Sequence, residues 1–140
     1  MDLQGYKEIT VDATVKNLTV VNDFVEELLA GTDCSVKTKL KIDLVVEEIF
    51  VNIANYAYEA SGGKAVVQGC IEENPCRIIL RFMDTGIPYD PLQKDPPDLT
   101  LPPDKREIGG LGIFLIKENV DELSYHYKDG KNILTITKKI

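Results

Sequence analysis

Glu47-Glu48-Ile49-Phe50-Val51-Asn52-Ile53-Ala54-Asn55-Tyr56-Ala57-Tyr58 is the stretch on which the reading of this chain turns. Ser35 is a plausible N-cap, and Leu40, Leu44, Val45, Ile49, Ile53 and Ala57 recur at helical spacing after it. The pattern predicts a helix to about Glu59, stopped by Gly62-Gly63, and makes this helix the apolar centre of the chain. Glu48 and Asn52 are four residues apart and project from one face, about one turn from each other. An acid that can accept a proton beside an amide whose oxygen can ligate a hard cation suits phosphoryl transfer. A solvated helix face is the plainer reading of the same pair, because both residue types are usually exposed.

Upstream, residues 6–12 alternate and are β-branched, as a first strand should be. Leu18, Val21, Val25 and Leu28, with Phe24 and Leu29 beside them, give an amphipathic helix over about Thr14–Ala30, ended by Gly31. Downstream, strand-like runs at 64–72 and 77–84 are joined through Glu73-Asn74-Pro75, a hairpin spacing. Residues 85–108 then hold six of the seven prolines and little periodicity. A short helix is expected over Leu111–Asn119, and strands at 121–128 and 132–139 turn at Asp129-Gly130. The order β-α-α-β-β-loop-α-β-β predicts a two-layer α/β sandwich, with a mixed, mostly antiparallel sheet and helices on one face.

Two further constellations bear on chemistry. Asp84-Thr85-Gly86-Ile87-Pro88 leaves the end of a strand. Its carboxylate can accept from a donor such as an exocyclic amine, and Gly86 lets backbone approach a ligand. A type I turn begun by Asp is the plainer alternative. In Gly109-Gly110-Leu111-Gly112-Ile113-Phe114-Leu115-Ile116, three glycines enter an apolar helix. Each weakens a helix by roughly 0.5–1 kcal/mol relative to alanine. Exposed N–H groups at a helix start form an anion site, while a hinge closing the long loop is the plainer use. The run lacks the Lys-Ser/Thr ending of a Walker A loop, and it follows an irregular loop where a dinucleotide fingerprint follows a strand.

Composition narrows the function class. A chain of 140 residues, 44% hydrophobic and 28% charged, reads as one globular domain over 1–140. No apolar run approaches the roughly 20 residues that span a bilayer, and the first residues resemble no secretory signal, so the expected compartment is the cytoplasm. A net charge of −7 argues against direct nucleic-acid binding. Lys37, Lys39 and Lys41 read as a solvated helix face. Cys34, Cys70 and Cys76 fit neither a disulfide framework nor a zinc site; Cys70 reads as a small core hydrophobe in a strand and His126 as an ordinary strand residue.

Taken in order, on helix, strand end and loop-to-helix junction, the three constellations resemble the N, G1 and G2 boxes of the GHKL ATPase/kinase superfamily. Their wording is similar to that of the RsbW/SpoIIAB-type anti-sigma factor serine kinases, and the resemblance runs from the first strand to the last. It implies a Bergerat ATP-binding fold with ATP and Mg2+ as cofactors. By this resemblance Glu48 is the general base, Asn52 ligates magnesium and Asp84 receives the adenine amino group. Asn55, Gly86 and Pro88 join the nucleotide contacts, as do Gly110, Leu111, Gly112 and Ile113, and residues 91–108 form the ATP lid. The implied activity is transfer of the ATP γ-phosphoryl group to a serine of an anti-anti-sigma (STAS) partner by a protein that also binds a sigma factor. The resemblance also implies a possible homodimer. A regulator with the same pocket and no kinase activity is the alternative. Three places depart from the family's pattern: Ala54-Asn55-Tyr56 where His or Arg is frequent, Ile108 where an Arg can stand, and Lys131-Asn132-Ile133 where Gly-Thr often begins the last strand.

Overall fold

The computed structural model describes residues 5–58, 62–88, 90 and 110–140. Strand β1 (Lys7–Asp12) leads through a 3-10 turn (Val15–Asn17) into helix α1 (Leu18–Leu29). Helix α2 (Val36–Asn52) runs directly into a π-helical turn (Ile53–Ala57). Strands β2 (Lys64–Glu72) and β3 (Arg77–Asp84), helix α3 (Gly110–Asn119) and strands β4 (Glu122–Lys128) and β5 (Lys131–Lys139) complete the order. Stretch 91–108, expected as a lid, lies outside the described residues.

Local chemistry sets these boundaries. Ser35 caps α2 as expected, its Oγ accepting from Thr38 N at 3.1 Å and so satisfying one of the helix's free amides. Asp129 and Gly130 both take positive φ, 54° and 76°, the conformation of a two-residue hairpin turn, and Lys128 pairs with Lys131 across it.

The five strands form one sheet in the order β1-β2-β3-β5-β4. All four pairings are antiparallel. Two helices intervene between β1 and β2, so the chain re-enters the sheet from the end at which it left. A single helix there would have made a parallel βαβ unit.

Alternation along β3 puts Ile78, Leu80 and Phe82 in the main core, with Val67 of β2 and Ile136 of β5. Against them lie Val21 and Val25 of α1, Ile42, Val46 and Phe50 of α2, and Ile113 and Ile116 of α3. Phe50 and Phe82 are 0% and 1% exposed, and burial of such side chains contributes about 1.5–3 kcal/mol each. By the same parity Asp84, at the end of β3, belongs to the helix-facing side of the sheet. Cys70 is buried as expected, but it pairs with Ile79 in a separate cluster outside the main core.

Two expectations for α2 fail: the regular helix stops at Asn52, a π-helical turn to Ala57 replacing the continuation expected to about Glu59, and Leu40 is not buried. Leu40 is 62% exposed. The buried stripe of α2 is Ile42, Val45, Val46, Ile49 and Phe50, continued by Ile53. At about 3.6 residues per turn, Leu40 stands roughly half a turn from its centre. No helix among the described residues is long and apolar enough to cross a membrane.

Candidate functional site

Glu48 and Asn52 lie on the flank of the α2 stripe, and both are half-buried. That flank meets the start of α3. A Cβ built on Gly112 would fall 2.8 Å from Glu48 Oε2 and 3.4 Å from Asn52 Nδ2. The first and third constellations of the sequence therefore converge: the bare backbone at Gly112 faces the carboxylate and the amide. Burial raises the Glu48 carboxyl above its ordinary value, and the charge of Glu47 adds to the rise. A carboxylate made more basic in this way is better suited to accept a proton near neutral pH.

The π-helical turn positions the second constellation. It inserts where α2 ends, with Ile53 N reaching both Ile49 O and Phe50 O. Turns of this kind recur at functional sites. Here it offers the Ala57 carbonyl to the loop after β3, and Ile87 N donates to Ala57 O at 2.9 Å. A Cβ on Gly86 would lie 2.5 Å from Ala57 C and 2.8 Å from Ala57 Cβ, so only glycine allows this approach. The Tyr58 hydroxyl ties the same corner together, donating to Lys64 O at 2.5 Å and accepting from Thr85 N at 2.8 Å.

Asp84 is 8% exposed. Its Oδ1 accepts from Gly86 N at 2.9 Å and from Asn132 Nδ2 at 2.9 Å. Both hydrogen bonds to its carboxylate among the described residues fall on that one oxygen, which leaves Oδ2 to receive a further donor. Asn132 is itself buried at 7%, in register with Asp84 across β3 and β5. The sequence had marked Asn132 only as a departure from the Gly-Thr pattern. No local signal marks it, because the contact with Asp84 depends on the β3–β5 register.

The remaining expected residues divide. Ile113 is 4% exposed and packs in the core, so its side chain secures α3. Asn55 on the π-turn and Pro88 beyond Gly86 are exposed. Gly110 begins α3; its surroundings and the Leu111 side chain lie outside the described residues. No group of three or more His, Cys, Asp or Glu residues among the described residues is arranged to hold a metal ion. A cation here would take Asn52 together with oxygens brought by a ligand. This suits Mg2+, which is commonly held by few protein groups plus phosphates.

Comparison with known proteins bears on family and fold. Residues 11–138 match the histidine kinase-like ATPase domain. The chain is 28% identical over 130 residues to the serine/threonine-protein kinase BtrW of Bordetella bronchiseptica, covering 93% of this chain and 89% of that protein. It is also 28% identical over 102 residues to the serine-protein kinase RsbW of Bacillus cereus, covering 69% of this chain and 61% of that one. Among solved structures, the RsbU and RsbW domains of Rv1364c from Mycobacterium tuberculosis align with a TM-score of 0.68 at 17% identity, over 97% of this chain and 32% of that one. At that identity the likeness is one of fold.

Proposed function

The chain belongs to the histidine kinase-like ATPase domain family, and on that premise we propose that it is an ATP-dependent serine/threonine kinase of the RsbW type acting in a partner-switching system. The observation that carries the proposal is the convergence of Glu48, Asn52 and Gly112. A general base, a cation ligand and a phosphate-facing backbone are what phosphoryl transfer requires of a protein, since positioning and charge neutralisation dominate that reaction.

In this reading Asp84 receives the adenine amino group on Oδ2, and Gly86 lets the base lie against the loop. The amides at the start of α3 face the phosphates, aided by the helix dipole. Glu48 orients a serine hydroxyl of the partner and takes its proton as the oxygen bonds to the γ-phosphorus and the bond to the β–γ bridging oxygen breaks. Magnesium held by Asn52 and the phosphate oxygens would supply neutralisation of the developing charge. Residues 91–108 act as the lid, with prolines that reduce the entropy lost on closing. The acceptor is a serine of a STAS-domain protein, and the partner released or held by the switch is a sigma factor.

Glu48→Ala tests the assignment. ATP binding should persist, and phosphorylation of a purified STAS partner should fall by roughly 10²- to 10⁴-fold, the usual effect of a positioned base. An unchanged transfer rate would remove Glu48 from the mechanism. A second reading, a nucleotide-gated binding protein without transfer activity, is favoured by one feature. Ala54-Asn55-Tyr56 carries no basic side chain in the stretch where the resemblance leads one to expect His or Arg. Wild-type protein that binds ATP and phosphorylates no STAS partner would select it.

A further inference from the structure

We propose that Asn132 is a positioning residue that locks the Asp84 carboxylate and thereby sets the preference for an amino-bearing purine over a keto-bearing one. The inference rests on the reading of Asp84 as the adenine contact and assigns a role to a residue outside the three motifs. Asn132 Nδ2 donates to Asp84 Oδ1 at 2.9 Å and to Ile87 O at 3.0 Å, with Gly86 O at 3.4 Å. These three partners, a carboxylate and two carbonyls, are all acceptors. On the other side, Asn132 Oδ1 accepts from the Tyr125 hydroxyl. The surroundings therefore admit one orientation of the amide, with both of its hydrogens directed at acceptors.

The consequence falls on Asp84. Its Oδ1 is held by two charge-assisted bonds, from Gly86 N and from Asn132, so rotation of the carboxylate would break both. Oδ2 is then a fixed acceptor that meets no donor among the described residues. A fixed acceptor pairs with an exocyclic amine and repels a carbonyl oxygen. If the amide of Asn132 is removed, the carboxylate can turn and a water molecule can enter. A water donates as readily as it accepts, so it can bridge the acid to a keto oxygen. These contacts of Asn132 also join β3, β4 and β5 to the loop that carries Gly86 and Ile87, which links the specificity of the site to its frame.

The test compares Mg-ATP with Mg-ITP, whose base has a keto oxygen in place of the amino group, by calorimetric titration of wild type, Asn132→Ala, Asn132→Thr and Tyr125→Phe. Wild type should prefer ATP. Asn132→Ala should shrink the ATP-to-ITP affinity ratio by about tenfold, the lower range for a lost hydrogen bond to a charged group. Asn132→Thr keeps one donor hydrogen and should retain most of the ratio, whereas Tyr125→Phe should lower it in the same direction as the alanine. A purely structural role would weaken both nucleotides alike, and an unchanged ratio in both Asn132→Ala and Tyr125→Phe overturns the proposal. If Asn132→Ala fails to fold, Tyr125→Phe and Asn132→Thr decide the matter. Wild type that does not discriminate between the nucleotides, or binds neither, refutes the adenine pocket itself and the inference with it.

Discussion

Replacing Gly112 with alanine separates what the glycine does for the fold from what it does for the site. The residue lies in the first turn of α3, and no positive φ requires glycine there. On helix propensity alone, alanine should stabilise the chain by about 0.5–1 kcal/mol. The new methyl would meet Glu48 Oε2 at 2.8 Å, roughly half an ångström inside ordinary contact. That neighbour is the far end of a flexible side chain, so the carboxylate can swing aside with little loss of stability. The melting temperature of Gly112→Ala should therefore hold or rise by about 1–3 °C. Function should move the other way. The methyl occupies the space between Glu48, Asn52 and the phosphates, and loss of one backbone contact to phosphate, about 1–1.5 kcal/mol, should weaken Mg-ATP about tenfold. Thermal unfolding and calorimetric titration on the same sample read both effects. A variant that melts higher and still binds Mg-ATP as tightly as wild type would refute the claim that the glycine serves the ligand.

Two other perturbations follow from the same contacts. Gly86→Ala should destabilise the chain and weaken nucleotide, because the neighbour it strikes is the Ala57 backbone; Gly31→Ala, with nothing within 4 Å and no positive φ, should be neutral or stabilising by about 0.4–1 kcal/mol. Equal melting temperatures for the two variants would contradict this. Glu48 supplies a pH signature: its carboxyl is raised in the folded state, so the native protein holds that proton more tightly than the unfolded chain. Stability is then lost as pH rises from the unfolded carboxylate value, about 4.3, through the raised folded value. Glu48→Gln should be more stable than wild type at pH 7 in urea unfolding, with the advantage fading toward pH 4. A gap that does not change with pH would rule out this linkage.

Much of the architecture was legible because local signals agreed with one another. Ser35 announced the start of α2, the strand-like runs gave β2 and β3, and Asp129-Gly130 gave the last turn. The end of α2 was not legible. Ile53 and Ala57 continue the helical period, and a π-turn adds a residue to the turn without disturbing that pattern. The exposure of Leu40 was missed because several apolar residues of α2 fall off the buried stripe, and only packing against the sheet selects among them. Within the site, Glu48, Asn52, Asp84, Gly86 and Gly112 were read from motif and spacing, and the structure supplies their contacts. Asn132 could not be read as a partner of Asp84, since their contact depends on the β3–β5 register, which joins residues 48 positions apart.

The central claim is that the corner of β3 is an adenine pocket built on Asp84, and Asp84→Asn tests it most directly. Asparagine can keep the bonds from Gly86 N and Asn132 Nδ2 through its remaining oxygen while turning the ligand-facing atom from acceptor into donor. The fold should survive and the recognition should not. Calorimetric titration of ATP with magnesium should show binding to wild type that weakens by about 1.5–3 kcal/mol in Asp84→Asn, the usual strength of a hydrogen bond to a charged group. Equal affinity in the two folded proteins, or no binding by well-folded wild type, would contradict the account.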